Sequence, residues 1–194
     1  MFDLQRKRNS VRKITQILFF ISIIFSFSNC IEETAVIIKE PSFFDLKDYF
    51  KTEIEVLSGK KQVRKRTFID GKEIEKVLDS IDFSLELKAF EESDINKIAW
   101  VDKYLVDSLY DEKGMLNKIT YTATDVELRT QQLLISYNQN QLDTIDVFNK
   151  STSSVASLKQ HLRYIPSFGY SIESTQKTTL FEEHVLAVDV QFLN

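Results

Sequence analysis

The sequence predicts an α+β domain in which two N-terminal helices pack on an antiparallel meander sheet of about six to seven strands. Apolar residues recur at helical spacing between residues 42 and 59 and again between residues 72 and 92, and from Trp100 onward they alternate with polar residues. Short turns separate the alternating segments. Strands joined by such short turns are antiparallel neighbours, because a parallel crossover needs about a dozen or more residues.

The first thirty residues have the charge and hydropathy of an export signal. Five Lys and Arg residues precede an apolar run from Ile14 to Phe27, and Cys30 follows. A membrane-spanning helix needs about 20 apolar residues, so this run is too short for a span and is typical of a secretory signal peptide. We therefore predict a signal peptide over residues 1–29, a tether over residues 30–41 and a single domain over residues 42–194.

The segment Phe27-Ser28-Asn29-Cys30 resembles the lipobox of bacterial lipoproteins, in which a small residue precedes a cysteine. Phe27 stands where Leu is usual, and Asn29 stands where Gly, Ala or Ser is usual. This relaxed pattern resembles lipoproteins of the Bacteroidota with a type II signal peptide. The resemblance implies that Cys30 is lipidated and acylated, for example with palmitate, and that it anchors the protein in the outer membrane.

Two further segments are similar to lipoproteins of the same group. Glu32 and Glu33 resemble an acidic sorting signal that directs lipoproteins to the cell surface. The alternative is a solvated spacer on a protein that faces the periplasm. Asp94-Ile95-Asn96-Lys97 resembles a motif of small lipoproteins of unknown role. The resemblance implies an envelope protein that the membrane holds through Cys30.

The charge of the predicted mature chain excludes one class of partner. Residues 1–29 hold five of the 25 basic residues and one of the 29 acidic residues, so 20 basic and 28 acidic residues remain. An acidic domain repels the phosphate backbone, and we therefore expect no nucleic acid partner. Cys30 is the only cysteine, so its lipidation leaves no thiol for catalysis or for a disulfide.

The first predicted helix begins at Ser42, which follows Pro41 as an N-cap with Asp45 as a capping-box partner, and it ends at Gly59. Its apolar side chains are spaced to face a core, although a groove-binding or membrane-lying helix is the alternative. They are Phe43, Leu46, Phe50, Ile54 and Leu57. In the tether before it, residues 36–38 are apolar and could pair as a short edge strand.

A strand from Lys60 to Ile69 and the turn Asp70-Gly71 precede the second predicted helix. This helix extends from Lys72 to Glu92, with a break near Asp82, and rests on the helical spacing of Ile74, Val77, Leu78, Ile81 and Leu85. After Trp100 the alternation marks strands near 102–110, 116–123, 133–137, 145–147, 156–164, 170–172 and 186–192. Trp100 either caps the core or stacks on a ligand.

Basic residues cluster in two places. Lys159, His161 and Arg163 form a cationic row on one face of their strand, which is either a ligand or partner contact or an exposed polar face. The second cluster could meet anionic headgroups or could pair with acids of the sheet. It consists of Lys60, Lys61, Arg64, Lys65 and Arg66.

No motif of a known catalytic chemistry is present. The sequence lacks HExxH, CxxC, GxSxG, phosphate-loop and dinucleotide-binding patterns, and it contains four glycines and two histidines. Glu182, Glu183 and His184 lie too close together in one turn to indicate a metal site. We expect no metal and no cofactor. Hydrolysis by a pair of carboxylates, with His161 as a further group, is left open by the many acids.

Three functions follow as hypotheses. The first is a non-enzymatic envelope lipoprotein that binds a partner protein, or an apolar ligand between helices and sheet, as periplasmic lipid carriers of similar architecture do. The second is a carboxylate-dependent hydrolase. The third is an immunity or inhibitor protein, a class in which small acidic domains are common. A deep cleft with convergent acids favours the second hypothesis, and a flat or apolar surface favours binding.

Overall fold

Nine strands form one antiparallel sheet with the order β2-β1-β9-β8-β7-β6-β5-β4-β3 in the computed structural model. The structure describes residues 43–59, 62–180 and 182–193. The predicted signal peptide, the tether and Ser42 lie outside these ranges. The α+β class and the antiparallel meander are confirmed, whereas the predicted six to seven strands are too few and only one of the two predicted helices forms as expected.

The strands follow the chain as a meander from β3 to β9, and the hairpin of β1 and β2 extends the sheet beyond β9. Their bounds are β1 Gln62–Ile69, β2 Lys72–Leu78, β3 Tyr104–Tyr110, β4 Leu116–Ala123, β5 Thr130–Asn138, β6 Gln141–Thr152, β7 Ala156–Ile165, β8 Gly169–Thr178 and β9 His184–Leu193.

Helix α1 extends over Leu46–Leu57 and forms where the apolar spacing predicts it. Asp45 is the N-cap, because its side chain accepts a hydrogen bond from the Asp48 N–H at 2.8 Å. The prediction that Ser42 caps this helix is therefore wrong, since Asp45 caps the start of the regular helix. Leu46, Phe50 and Leu57 are buried, so the apolar stripe of α1 faces the core.

The second predicted helix is wrong, because Lys72–Leu78 is strand β2. Asp70 and Gly71 both have positive φ angles, of 48° and 83°. A two-residue turn of this kind joins antiparallel strands, and it folds β2 back onto β1. Ile74 and Val77, which have helical spacing in the sequence, are both exposed on this edge strand.

Only the end of that segment is helical, in two short pieces and a following turn. Helices α2 at Phe83–Glu86 and α3 at Lys88–Glu91 are followed by a 3₁₀ turn at Ile98–Trp100. Asp82 caps α2 by accepting a hydrogen bond from the Ser84 N–H at 3.0 Å. Buried Phe83 and Phe90 direct both helices toward the same face of the sheet as α1.

The core lies between the helices and one face of the sheet, here called the inner face. Its sheet side consists of Leu133, Ile135, Ile145, Val147, Leu162, Tyr164, Tyr170, Val190 and Phe192, all of them buried. Aromatic rings join the two layers. Phe50 lies 5.1 Å and Phe90 lies 6.2 Å from Tyr164 between ring centroids, both in edge-on geometry, which is favourable for aromatic pairs.

Buried tyrosine hydroxyls donate hydrogen bonds to carboxylates of the helices. The Tyr164 hydroxyl donates to Glu53 of α1, and the Tyr170 hydroxyl donates to Glu86 of α2 at 2.7 Å. Burial, followed by these hydrogen bonds, raises the pKa of Tyr164 and of Tyr170 above its ordinary value. Each bond satisfies a polar group inside the aromatic layer and fixes a helix to the sheet.

Among the described residues, α1 is the longest helix with 12 residues. None of the helices in these ranges has the length and the apolar character that a membrane crossing requires.

We expect Phe50→Ala to lower the free energy of unfolding by about 3–5 kcal/mol, because it removes a fully buried ring between α1 and Tyr164. Val56→Ala on the same helix is the matched control. Val56 is 62 % exposed, and its replacement should change stability by less than about 0.5 kcal/mol. Urea unfolding followed by circular dichroism measures both values. Equal effects of the two substitutions would show that the apolar stripe of α1 does not carry the core.

We expect the protein to lose stability as pH rises above about 10, the ordinary pKa of tyrosine. Burial raises the pKa of Tyr104 to about 12 and also raises the pKa of Tyr49. A raised pKa means that the folded protein favours the neutral phenol. The stability that arises from this preference is fully present below the pKa of tyrosine in the unfolded chain, and it is lost as pH rises toward the pKa of the same residue in the folded protein. Urea midpoints measured from about pH 8 to about pH 11 should therefore fall.

The control for this pH dependence is a comparison of two tyrosine substitutions. Tyr104→Phe should flatten the alkaline decrease in stability, and Tyr110→Phe, the same substitution at a side chain that is 58 % exposed, is the matched control. Lysine titration affects both variants in the same way. An unchanged slope in Tyr104→Phe would contradict the assignment.

Candidate binding site on the open face of the sheet

The structure places all three residues of the predicted cationic row on the face opposite the helices, here called the open face. Lys159, His161 and Arg163 alternate along β7 with Leu162 and Tyr164, which point into the core. Strand β6 lies beside them in register and adds the side chains that alternate with its own buried residues.

Asp146 of β6 binds two members of the row through one carboxylate oxygen. Its Oδ1 atom accepts from Arg163 Nε at 2.8 Å and lies 2.7 Å from His161 Nε2. The Asp146 side chain is only 13 % exposed. The hydrogen bond and the charge of Asp146 raise the pKa of the Arg163 guanidinium. Asp146 thus fixes both side chains on the surface of β7.

A shallow depression of about 300 Å³ lies next to this pair. The rings of Phe148 and His161 stack at 4.3 Å between centroids, with an angle of 7° between their planes, and they form one wall. Lys150, Lys159 and Glu173 are further lining residues. The depression therefore combines an aromatic surface with cationic groups and one carboxylate.

Lys150 and Lys159 face each other across β6 and β7 as cross-strand partners. Like charges directly opposite each other destabilise a sheet. Among the described residues, no carboxylate lies within ion-pair distance of either lysine. The two ammonium groups therefore place positive charge at the depression without an ion pair to any described carboxylate.

Arg163 also lines a second depression of about 210 Å³, on the side of β8 and β9. Phe168, Gly169 and Asp189 contribute to its walls. Gly169 has a φ of 156°, and a Cβ atom there would lie 2.0 Å from the Val190 carbonyl oxygen. The turn before β8 thus approaches β9 at a distance that only glycine permits.

The basic cluster around β1 is neutralised by its neighbours, in agreement with the structural alternative. Arg66 Nη2 lies 2.8 Å from Asp189 Oδ1, Arg64 Nε lies 3.8 Å from Glu75 Oε1, and Lys65 Nζ lies 2.5 Å from Glu86 Oε1. Residues 60 and 61 lie outside the described ranges. The three described cations of this cluster are therefore paired with carboxylates of β2, β9 and helix α2.

Trp100 lies at the edge of the core, and its ring carries a cation from the same segment. The Lys97 ammonium lies 3.8 Å from the centroid of the indole ring. A cation in this position is attracted by the π face. Trp100 is partly buried against the core, so the structure favours the capping interpretation over ligand stacking.

The segment Asp94-Ile95-Asn96-Lys97 holds the start of α1. Asp94 Oδ1 accepts from the Leu46 N–H at 3.2 Å, and Asn96 Oδ1 accepts from the Phe43 N–H at 3.0 Å. Ile95 between them is fully buried. The polar residues of this segment therefore bind the backbone at the entry of α1.

His184 forms a pair with the carboxylate of Asp70. Its Nδ1 atom lies 3.0 Å from Asp70 Oδ2, and Asp70 also accepts from the Val185 N–H at 3.1 Å. The hydrogen bond from His184 is the main cause that lowers the pKa of Asp70. Within residues 43–59, 62–180 and 182–193, no group of three His, Cys, Asp or Glu residues could hold a metal ion.

The space between helices and sheet, where an apolar ligand was one expectation, is filled by side chains. Phe50, Phe90 and Tyr164 are fully buried there and contact one another. An apolar ligand would have to displace these rings. The open face is therefore the better candidate for binding.

Sequence alternation was sufficient to find Lys159, His161 and Arg163, but it missed Asp146, Phe148 and Lys150. These three alternate with buried residues on β6, and that pattern is visible in the sequence. Their contact with β7 depends on the β6–β7 register, which the sequence does not show.

No protein-family model matches this chain, and no curated protein or solved structure is significantly similar to it. The function must therefore be argued from the chemistry of the site itself.

Proposed function

We propose that this protein is a non-enzymatic binding module of the bacterial envelope, held at the outer membrane by lipidated Cys30. Its open face binds an anionic group of an envelope ligand or of a partner protein at the depression beside Phe148 and His161. Glu32 and Glu33 direct the module to the cell surface. If they act only as a spacer, the module faces the periplasm.

The uncompensated pair of Lys150 and Lys159 carries this proposal. The arginines of the open face each contact a carboxylate, as Arg163 does at Asp146 and Arg66 does at Asp189. The two lysines instead face each other at the depression. An anion bound between them would relieve their repulsion and could accept charge-assisted hydrogen bonds from both ammonium groups.

The neighbouring rings favour a ligand that is more than a simple ion. Phe148 is partly exposed at the wall of the depression, and His161 keeps it in place by stacking. An apolar or planar portion next to the anionic group could contact this wall. Glu173 on the opposite side would repel a second negative charge and would thereby orient the ligand.

The hydrolase hypothesis is the second candidate, and the Asp146–His161 pair favours it. A carboxylate that orients a histidine is part of many hydrolytic sites. Such a site also needs a nucleophile or an activated water at the imidazole. Among the described residues, no hydroxyl or thiol hydrogen-bonds to His161, and Asp146 is shared with Arg163. Binding is therefore the better supported function.

We expect inorganic phosphate and acetate to bind weakly at the depression of the full chain purified in detergent. Amide and lysine side-chain resonances around Lys150, Lys159 and His161 should shift with either anion in a titration followed by nuclear magnetic resonance. Lys159→Glu should weaken binding by about tenfold or more, because a charge-assisted contact becomes a repulsion. Added salt should also weaken binding.

Lys113→Glu is the matched control, because it changes the net charge equally in the exposed β3–β4 turn. It should leave the titration unchanged. If both variants weaken binding equally, the anions respond only to the overall charge, and the depression is not a site. Hydrolysis of nitrophenyl esters or phosphates that Asp146→Asn abolishes would instead support the second candidate.

We expect the mature protein to begin at a lipidated Cys30. The intact mass of the chain extracted from membranes should correspond to residues 30–194 with a diacylglyceryl and an acyl group. Cys30→Ala should move the protein out of the detergent-extracted membrane fraction, since two or more acyl chains are needed for stable anchoring. Cys30→Ser is a second test of the thiol. A Met1 start with an unmodified thiol would contradict the lipoprotein assignment.

A further inference from the structure

The two edges of the sheet differ in how they are protected. At one edge, β2 carries four charged residues, Lys72, Glu73, Glu75 and Lys76, in seven positions. Charged side chains on an edge strand discourage the addition of a further strand. At the other edge, β3 has the sequence Tyr-Leu-Val-Asp-Ser-Leu-Tyr and carries one charge, Asp107.

Strand β3 presents an apolar surface at this edge. Leu105 is 67 % exposed, and Val106, Leu109 and Tyr110 are each more than half exposed. Among the described residues, β3 pairs only with β4. A register shift between Leu109 and Tyr110 disturbs the end of the strand and leaves the pairs from 104 to 109 regular. Alternate residues of this regular stretch direct their backbone N–H and C=O groups away from β4, where an added strand could bond to them.

Contacts of Tyr104 with the rest of the domain fix the position of β3 in the unbound protein. Tyr104 is buried, and its hydroxyl donates to the Thr130 carbonyl at 2.8 Å. The ring of Phe43 packs edge-on against Tyr104 at 5.8 Å between centroids. A fixed edge loses little conformational entropy when a peptide binds, which favours strand addition.

A second copy of the chain is a poor partner for this edge. The strand is nearly symmetric about Asp107, with Tyr104 and Tyr110 at its ends and Leu105 and Leu109 inside them. Antiparallel pairing of two β3 strands about this centre would match the apolar residues but would place one Asp107 opposite the other. Like charges directly opposite each other destabilise a strand pair.

We propose that β3 is a docking edge for an extended segment of a partner protein that carries Lys or Arg opposite Asp107, with apolar residues two positions away on either side. Asp107 forms no ion pair with any described residue. A basic residue opposite it supplies the charge that a second copy lacks. The apolar residues on either side cover Leu105 and Leu109. This surface is separate from the depression on β6 and β7.

The test is the binding of two labelled peptides to the full chain in detergent, followed by fluorescence anisotropy. One peptide has the core Leu-Thr-Lys-Thr-Leu, and the other has Glu in place of Lys. The Lys peptide should bind about tenfold or more tightly than the Glu peptide. Its binding should slow hydrogen exchange of those amides between Tyr104 and Leu109 that point away from β4.

Charge reversal separates this edge from other surfaces. Asp107→Lys should invert the preference between the two peptides, whereas Glu73→Lys, the same change on the opposite edge strand, should preserve it. Circular dichroism checks that both variants are folded. Equal binding of the peptides, unchanged preference in Asp107→Lys, protection elsewhere than at β3, or a wild-type dimer paired through β3 would each overturn the proposal.

Discussion

The packing of two helical phenylalanines around Tyr164 is the constraint on which the rest of the structure depends. Helices shorter than about 12–15 residues are marginal in isolation, and α2 and α3 have four residues each. Phe50 and Phe90 hold the helices against the sheet through the Tyr164 ring. The Tyr164 hydroxyl donates to Glu53, so the same residue satisfies a polar group of α1. A phenylalanine at position 164 would keep the packing but would leave that carboxylate without its donor.

The polar residues on both sides of Ile95 position the start of α1 against the aromatic layer. Asp94 and Asn96 accept hydrogen bonds from the backbone at residues 46 and 43, respectively. Donors at the start of a helix have no partner within the helix and need such acceptors. The segment from Asp94 to Lys97 therefore fixes the entry of α1 in this chain.

The sequence predicted the meander well because its turns and alternation are local signals. The helical spacing of Ile74 and Val77 predicts a helix at Lys72–Leu78, but the turn at residues 70–71 decides the structure and a strand forms. That turn places strands on both of its sides, and the charges of β2 suit an edge strand. The pairing of β1 with β9 joins Val63 to Phe192 and has no local signal. The same limit explains why half of the candidate site, on β6, was missed.

A domain whose inner face is filled by aromatic rings must bind through surfaces that the sheet leaves uncovered. Three arginines of the open face are paired with carboxylates across strands, as Arg163 is with Asp146. A sheet can pair its own charges in this way, so charged side chains without an ion pair are candidate positions for binding. Lys150 and Lys159 leave positive charge on the open face, and Asp107 leaves negative charge on an apolar edge. The two positions have opposite charge and lie on separate surfaces, so the two proposed binding sites do not compete for the same ligand.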